Sequence, residues 1–363
     1  RRNASGNYAE AAEFFDSLTD RLAERADDAA LTPAERLNRA HEYQVNRALQ
    51  LSNLGEFAAA DRLFATARAI PTVDPVQLRL RRNFMAMHLL NQRQPERAIA
   101  LLDQPLTTTG GRPALAGGAV EIDAMAAAEM NSGAQDAASG GLGRDTKLTV
   151  AERAAIIDAQ AMQLHGTALR LLGRPEEART LLTKALAGAV AIRDGRVSSI
   201  TRLRAQLLAE IALTHEAQGN RGEAETLLRQ GVDLLASQYP ETVALNGARA
   251  RLAAFLTRRG DKEGALALYR QVVQSTVANR NALTGLNNQL APYFGLLVGE
   301  LPARPELTGD LFLAAQTLMR PGAADTMETL TRELSTGTDE GARLFRQSVS
   351  LARDIERERI ELA

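Results

Sequence analysis

Four imidazoles and no thiol bound the chemistry open to this chain. His41, His88, His165 and His215 are its only histidines, and it contains no Cys. That excludes disulfides, thiolate metal sites and a Cys nucleophile within these residues. A helical zinc pair needs two His one turn apart, and the four lie far from one another, so they read as helix-packing or surface imidazoles. No G-x-S-x-G nucleophile turn, P-loop or strand-borne G-x-G-x-x-G is present. The Gly-rich run SGGLGR (139–144) follows no strand and reads as linker. The small basic cluster LRLRRN (78–83) is expected on a solvent face rather than at an anion site. The sequence therefore predicts no catalytic residue, no metal and no cofactor.

What remains is chemistry of binding. Asn46, Asn53, Asn83, Asn91, Gln163, Arg170, Gln206, Glu210 and Arg251 stand out as polar side chains recurring within apolar helices. An amide side chain both donates and accepts, as an extended peptide backbone requires. The choice of these nine rests on the elements that carry them.

Those elements repeat. SGNYAEAAEFF, LGEFAAADRLF, QRQPERAIALL, LGRPEEARTLL, QGNRGEAETLL and RGDKEGALALY share one spacing, with Gly6, Gly55, Gly173, Gly219 and Gly260 opening five copies and Arg93 standing in the Gly position of the other. An Ala follows each at a constant interval: Ala11, Ala60, Ala98, Ala178, Ala224, Ala265. One turn later comes Phe15, Phe64, Leu102, Leu182, Leu228 or Tyr269. The Gly ends a helix in the left-handed conformation. Pro95 and Pro175 suit the first turn of the next helix. The Ala sits where two helices cross closely, and the larger residue enters the core. Apolar residues at helical spacing precede each Gly, as in YQVNRALQLSNL and ARLAAFLTRR, so each unit is a helix hairpin. No sustained alternation marks a strand.

On these residues the chain resembles the tetratricopeptide-repeat family, best in 239–273 and over roughly residues 3–275. Unit spacings exceed the family's usual ~34 residues and resemble the longer variant of kinesin light chains and bacterial sensor proteins. The resemblance implies an all-α fold: a right-handed α-solenoid of helix hairpins with a C-terminal helical tail. It implies that the first helix of each hairpin lines a concave groove holding a protein or peptide, which selects the nine polar residues.

The expected organisation is repeats over 1–106, a Gly/Ala/Ser-rich insertion over 107–149 with a short helical stretch near Ile122–Met130, and repeats again over 150–276. A helical capping or linker region (277–340) and a charged, coiled-coil-like helix (341–363) follow, the latter carrying Leu344, Ser348, Leu351, Ile355 and Leu362 on one stripe. The order of elements around GDLFLAAQTLMRPGAADTMETLTREL resembles the junction in bacterial proteins that join such repeats to a CHAT domain, a caspase-like cysteine protease. That resemblance implies a sensor or regulatory segment whose second partner is a C-terminal domain of the same parent chain. The alternative is a stand-alone adaptor for protein assembly or trafficking. The start at Arg1, within a hairpin, and the uncapped last helix lead us to expect a longer parent protein.

Bulk composition sets further limits. A net charge of -1 and 4% aromatic residues without Trp provide neither a basic field nor stacking platforms, so nucleic acid is not expected as a partner. No apolar run reaches membrane-span length. A soluble protein of cytoplasm or periplasm fits equally.

Overall fold

The computed structural model describes residues 8–24, 31–72, 74–106, 148–195, 197–238, 242–278 and 287–318, with scattered positions between 340 and 351. Thirteen α-helices and no strand occupy them. The helices are α1 (Tyr8–Glu24), α2 (Pro33–Asn53), α3 (Phe57–Ala69), α4 (Pro75–Asn91), α5 (Pro95–Leu102), α6 (Val150–Leu171) and α7 (Pro175–Ala191). They continue as α8 (Ser198–Ala217), α9 (Arg221–Gln238), α10 (Val243–Arg259), α11 (Lys262–Ala278), α12 (Asn287–Glu300) and α13 (Thr308–Leu318). The insertion's helical stretch near Ile122–Met130, SGGLGR, Ile355 and Leu362 lie outside the described residues.

Local chemistry explains the boundaries. Thr32 and Thr149 begin α2 and α6 with capping boxes closed by Glu35 and Glu152. Asp74 caps α4, accepting from the backbone N–H groups of Val76 and Gln77. Pro33, Pro75, Pro95 and Pro175 occupy first-turn positions, where a missing N–H is no loss.

Each hairpin turn closes with the same backbone bond. The N–H groups of Glu56, Gln94, Arg174, Asn220 and Asp261 donate to the carbonyls of Leu51, Leu89, Leu169, His215 and Leu256. This geometry puts the residue before the donor in the left-handed region. Gly55, Gly173, Gly219 and Gly260 take it at φ 74 to 93°. Arg93 takes it at φ 58°, so the one turn lacking Gly keeps the Gly conformation.

All six repeat alanines are buried, none more than 2% exposed. Phe15, Phe64, Leu182, Leu228 and Tyr269 are buried after them, while Leu102, at the end of the short α5, is half-buried. A second register of small residues lies seven positions before each turn: Ala48, Ala86, Gly166, Ala212 and Ala253, all buried. The closest approach is at Gly166, where an added Cβ would lie 2.5 Å from Leu182 Cγ. This second set went unremarked in the sequence because Ala is so common there.

Two compact units divide the chain, Arg1–Leu296 and Leu297–Ala363. The first continues past the last recognisable repeat, since Tyr293 of α12 stacks on Tyr269 of α11 with ring centroids 4.7 Å apart. In the second, Leu307 and Ala314 are buried while Val298, Phe312 and Leu313 are exposed. Leu344 and Leu351 are exposed as well.

Candidate functional site: the inner face of the array

Within the first unit, first helices lie on first helices: α2 on α4, α4 on α6, α6 on α8 and α8 on α10. Among the described residues, no second helix makes comparable contact with the next second helix. The layer of α2, α4, α6, α8 and α10 is thus the tighter one, and the tighter layer of a curved stack is its inside. Tyr8, at the start of α1, lies within electrostatic reach of Arg202 on α8. Burial pushes the Tyr8 hydroxyl above its ordinary value, and Arg202 opposes that.

The candidate residues divide on this face. Arg170 Nε donates to Glu210 Oε2 at 2.8 Å, joining α6 to α8. Glu210 and Arg251 each stand nine residues before their turn glycine, and so share a face on adjacent helices. Arg251 is exposed, yet the protein around it depresses its guanidinium below the ordinary value, against the pull of Glu210. Gln206, one turn before Glu210, is also exposed. Gln163 is half-buried and donates to Thr167 Oγ1 at 3.1 Å.

The four asparagines do not form one cluster. Asn53 and Asn91 meet, Asn91 Nδ2 donating to Asn53 Oδ1 and to Ser52 Oγ, both at 3.0 Å. Asn46 turns back onto the carbonyl of Glu42 at 2.9 Å. Asn83 corrects the expectation of a groove residue: it is fully buried, and Nδ2 donates to the Ile157 carbonyl at 2.7 Å and to Gln160 Oε1 at 3.2 Å. Its position is one residue off the phase of Asn46, about 100° around a helix, which turns it from the inner face into the contact between α4 and α6.

The basic cluster at 78–83 has an equally internal use. Arg79 Nε and Arg82 Nη2 bind opposite oxygens of Asp158 at 2.9 and 3.1 Å, and Arg81 donates to the Ala67 carbonyl at 3.4 Å. With Asn83 these pairs seal α4 onto α6 across the insertion. Sequence reasoning missed Asp158 because its partners lie 79 and 76 residues upstream, beyond the reach of helical periodicity.

His41 and His88 serve packing. His41 is buried, with Nδ1–H donating to Gln77 Oε1 at 3.0 Å. His88 accepts from Ser52 Oγ–H at Nδ1, 2.9 Å away, and its Nε2 lies 3.0 Å from Asp61. Among the described residues no three His, Asp or Glu side chains are grouped to hold a metal ion, and no helix is long and apolar enough to cross a membrane.

Residues 247–278 match the tetratricopeptide repeat family model. That stretch is the hairpin of α10 and α11, which is therefore a repeat of tetratricopeptide type. No curated protein matches the sequence. Similar solved structures include BtubC from P. vanneervenii, with 13% identity, a TM-score of 0.43, and 77% of this chain and 92% of that one covered. A putative kinesin light chain from Podospora anserina with nearly identical TPR-like repeats gives 18%, 0.39, and 69% and 99%. A Rap protein complexed with Competence and Sporulation Factor gives 14%, 0.37, and 98% of each chain.

Proposed function

We propose that this chain is a binding scaffold that holds a protein or an extended peptide along the inner face of its first helices and performs no bond chemistry there. One observation supports the reading: Gln206, Glu210 and Arg251 are polar groups open to water to differing degrees on α8 and α10, adjacent first helices whose other sides are buried. Asn46, Asn53 and Asn91 extend the surface towards the first hairpins.

The finer proposal is a regulatory segment of a bacterial CHAT-type protein, which would pass the state of the array to a caspase-like domain of the parent chain. It rests on the order of elements around residues 309–334. A stand-alone adaptor is the competing reading. Cross-linking with mass spectrometry on the purified chain, mixed with extract from its source organism, is expected to place partner peptides on α8 and α10. Cross-links confined to the second helices would overturn the inner-face assignment. Peptidase activity in this chain alone would overturn the scaffold reading. A parent gene lacking a downstream His and Cys pair would leave the adaptor.

A further inference from the structure

We propose that a hollow between α3 and α5 binds an amphipathic organic anion, a fatty acid of medium chain length, with Arg68 holding its carboxylate. The hollow lies among second helices rather than on the inner face, so the proposal is independent of the scaffold reading. It measures about 410 Å³. Phe64 of α3, Met85 and Leu89 of α4 and Leu101 of α5 give it apolar walls, and Arg68 and Gln104 also line it. It is open because α3 rests lightly on α4, whereas α7 and α9 pack broadly on α8 and α10.

Arg68 is the residue that departs from the repeat. It stands thirteen positions after its turn glycine, Gly55. The four later hairpins place Leu106, Leu186, Val232 and Val273 at that position, none of them exposed, and Leu186 and Val232 pack on the apolar clusters of their own levels. Arg68 is exposed, and among the described residues no carboxylate pairs with it. Arg81 donates to the Ala67 carbonyl at 3.4 Å, which brings a second guanidinium close by. Burial holds Arg81 below its ordinary value, and the charge of Arg68 lowers it further. Among the described residues Asp61 is the one carboxylate lining the hollow. It lies two turns before Arg68, about 10 Å along α3, and is bonded to His88 at 3.0 Å. Arg97, towards the Asp61 end, is held by Gln94 Oε1 at 2.5 Å. An anion is therefore repelled at one end and drawn to the other. The guanidinium fork of Arg68 matches two carboxylate oxygens, and the Gln104 amide can add a donor. An acyl chain laid from Arg68 towards Asp61 covers the apolar walls and gains about 0.8 kcal/mol for each methylene removed from water.

The test is calorimetric titration of the whole chain with decanoate, decanol and butyrate, each below the concentration at which it aggregates. Decanoate is expected to bind one to one and about tenfold more tightly than decanol, the difference made by one charge-assisted bond. Butyrate, with the same head and little chain, should not bind measurably. Arg68→Leu, which supplies the residue type of the later hairpins, should keep the fold and leave decanoate and decanol equal. Arg62→Gln, elsewhere on α3, should keep the preference for decanoate. Ala65→Leu fills the hollow and should abolish binding of both long-chain probes. Failure of the unaltered chain to bind decanoate would overturn the proposal, and so would equal affinity for decanoate and decanol. A preference that survives in Arg68→Leu would remove Arg68 as the anchor, and binding that survives in Ala65→Leu would remove the hollow as the site. A dimer of the unaltered chain that decanoate dissociates, seen by light scattering, would give the hollow to a second copy instead.

Discussion

Between α2 and α4, His41 bonds Gln77, Ser52 bonds His88 and Asn91, and Thr72 donates to Asn38. Beyond the insertion the layers close differently. One apolar cluster runs from Leu148 to Ile211 through Leu169, Leu182, Ile200, Leu203 and Leu207, while the buried cluster of α2 and α3 comprises Val45, Ala48, Ala60, Phe64 and Ala67. The plan of the hairpins is common to both regions and the interior chemistry is not. Apolar area supplies bulk stability without fixing which helix level meets which. Buried hydrogen bonds add less net energy but penalise every misaligned pairing, because an orphaned polar group costs more than a formed bond returns. The early hairpins are thus held in register by partners, and the later ones by volume.

The strongest way to probe this contrast is at Leu182, which is fully buried. Leu182→Ala should cost about 2–5 kcal/mol, with amide-exchange protection lost across α6 to α8 and kept in α2 to α4. Equal loss in both regions would mean that they open as one. Gly166→Ala meets the same leucine from the other side and should cost about 1–3 kcal/mol by overpacking. Asn83→Ala leaves the Ile157 carbonyl and Gln160 without their partner and should cost about 1–3 kcal/mol. Its exchange signature should centre on the contact of α4 with α6.

Acid should separate the regions by chemistry alone. Burial, chiefly, holds His41 below the ordinary imidazole value; Arg81 acts in the same direction, and Gln77 and Asp74 oppose it. The folded state keeps His41 neutral, whereas the unfolded chain takes a proton near pH 6.5. Its contribution is therefore complete above about pH 6.5 and is lost as pH falls through the depressed folded value. Exchange in α2 and α4 should rise first on acidification, and His41→Gln should remove that difference. The smallest effect is expected at Arg93. Arg93→Gly relieves a left-handed non-glycine residue but frees the unfolded chain, for a net gain below about 1 kcal/mol. Loss of stability instead would show that the Arg93 side chain contributes to the turn.

Much of the fold was legible because a helix hairpin writes itself in short-range spacing. The turn glycines, the crossing alanines and the large residues after them lie within a dozen positions of one another. Arg93 was legible as a misfit only because its neighbours Pro95, Ala98 and Leu102 kept the phase. The site was legible as a face and not as a set of partners. Arg170 and Glu210 were both selected, and they do meet, but nothing in a 3.6-residue period says which residue faces another 40 positions away. Asn83 shows the cost of a one-residue error in phase. Asp158, with its two arginines, shows what no phase can supply.

The junction of α4 and α5 with α6 has a consequence for how the chain is strung. The polypeptide passes from one stack to the other through residues 103–149, yet the stacks meet directly, through Asn83, Arg79, Arg82 and the contacts of α5 with α6. Covalent continuity is therefore not what joins them there. A molecule cleaved once within 107–147 should migrate as a single particle of two fragments.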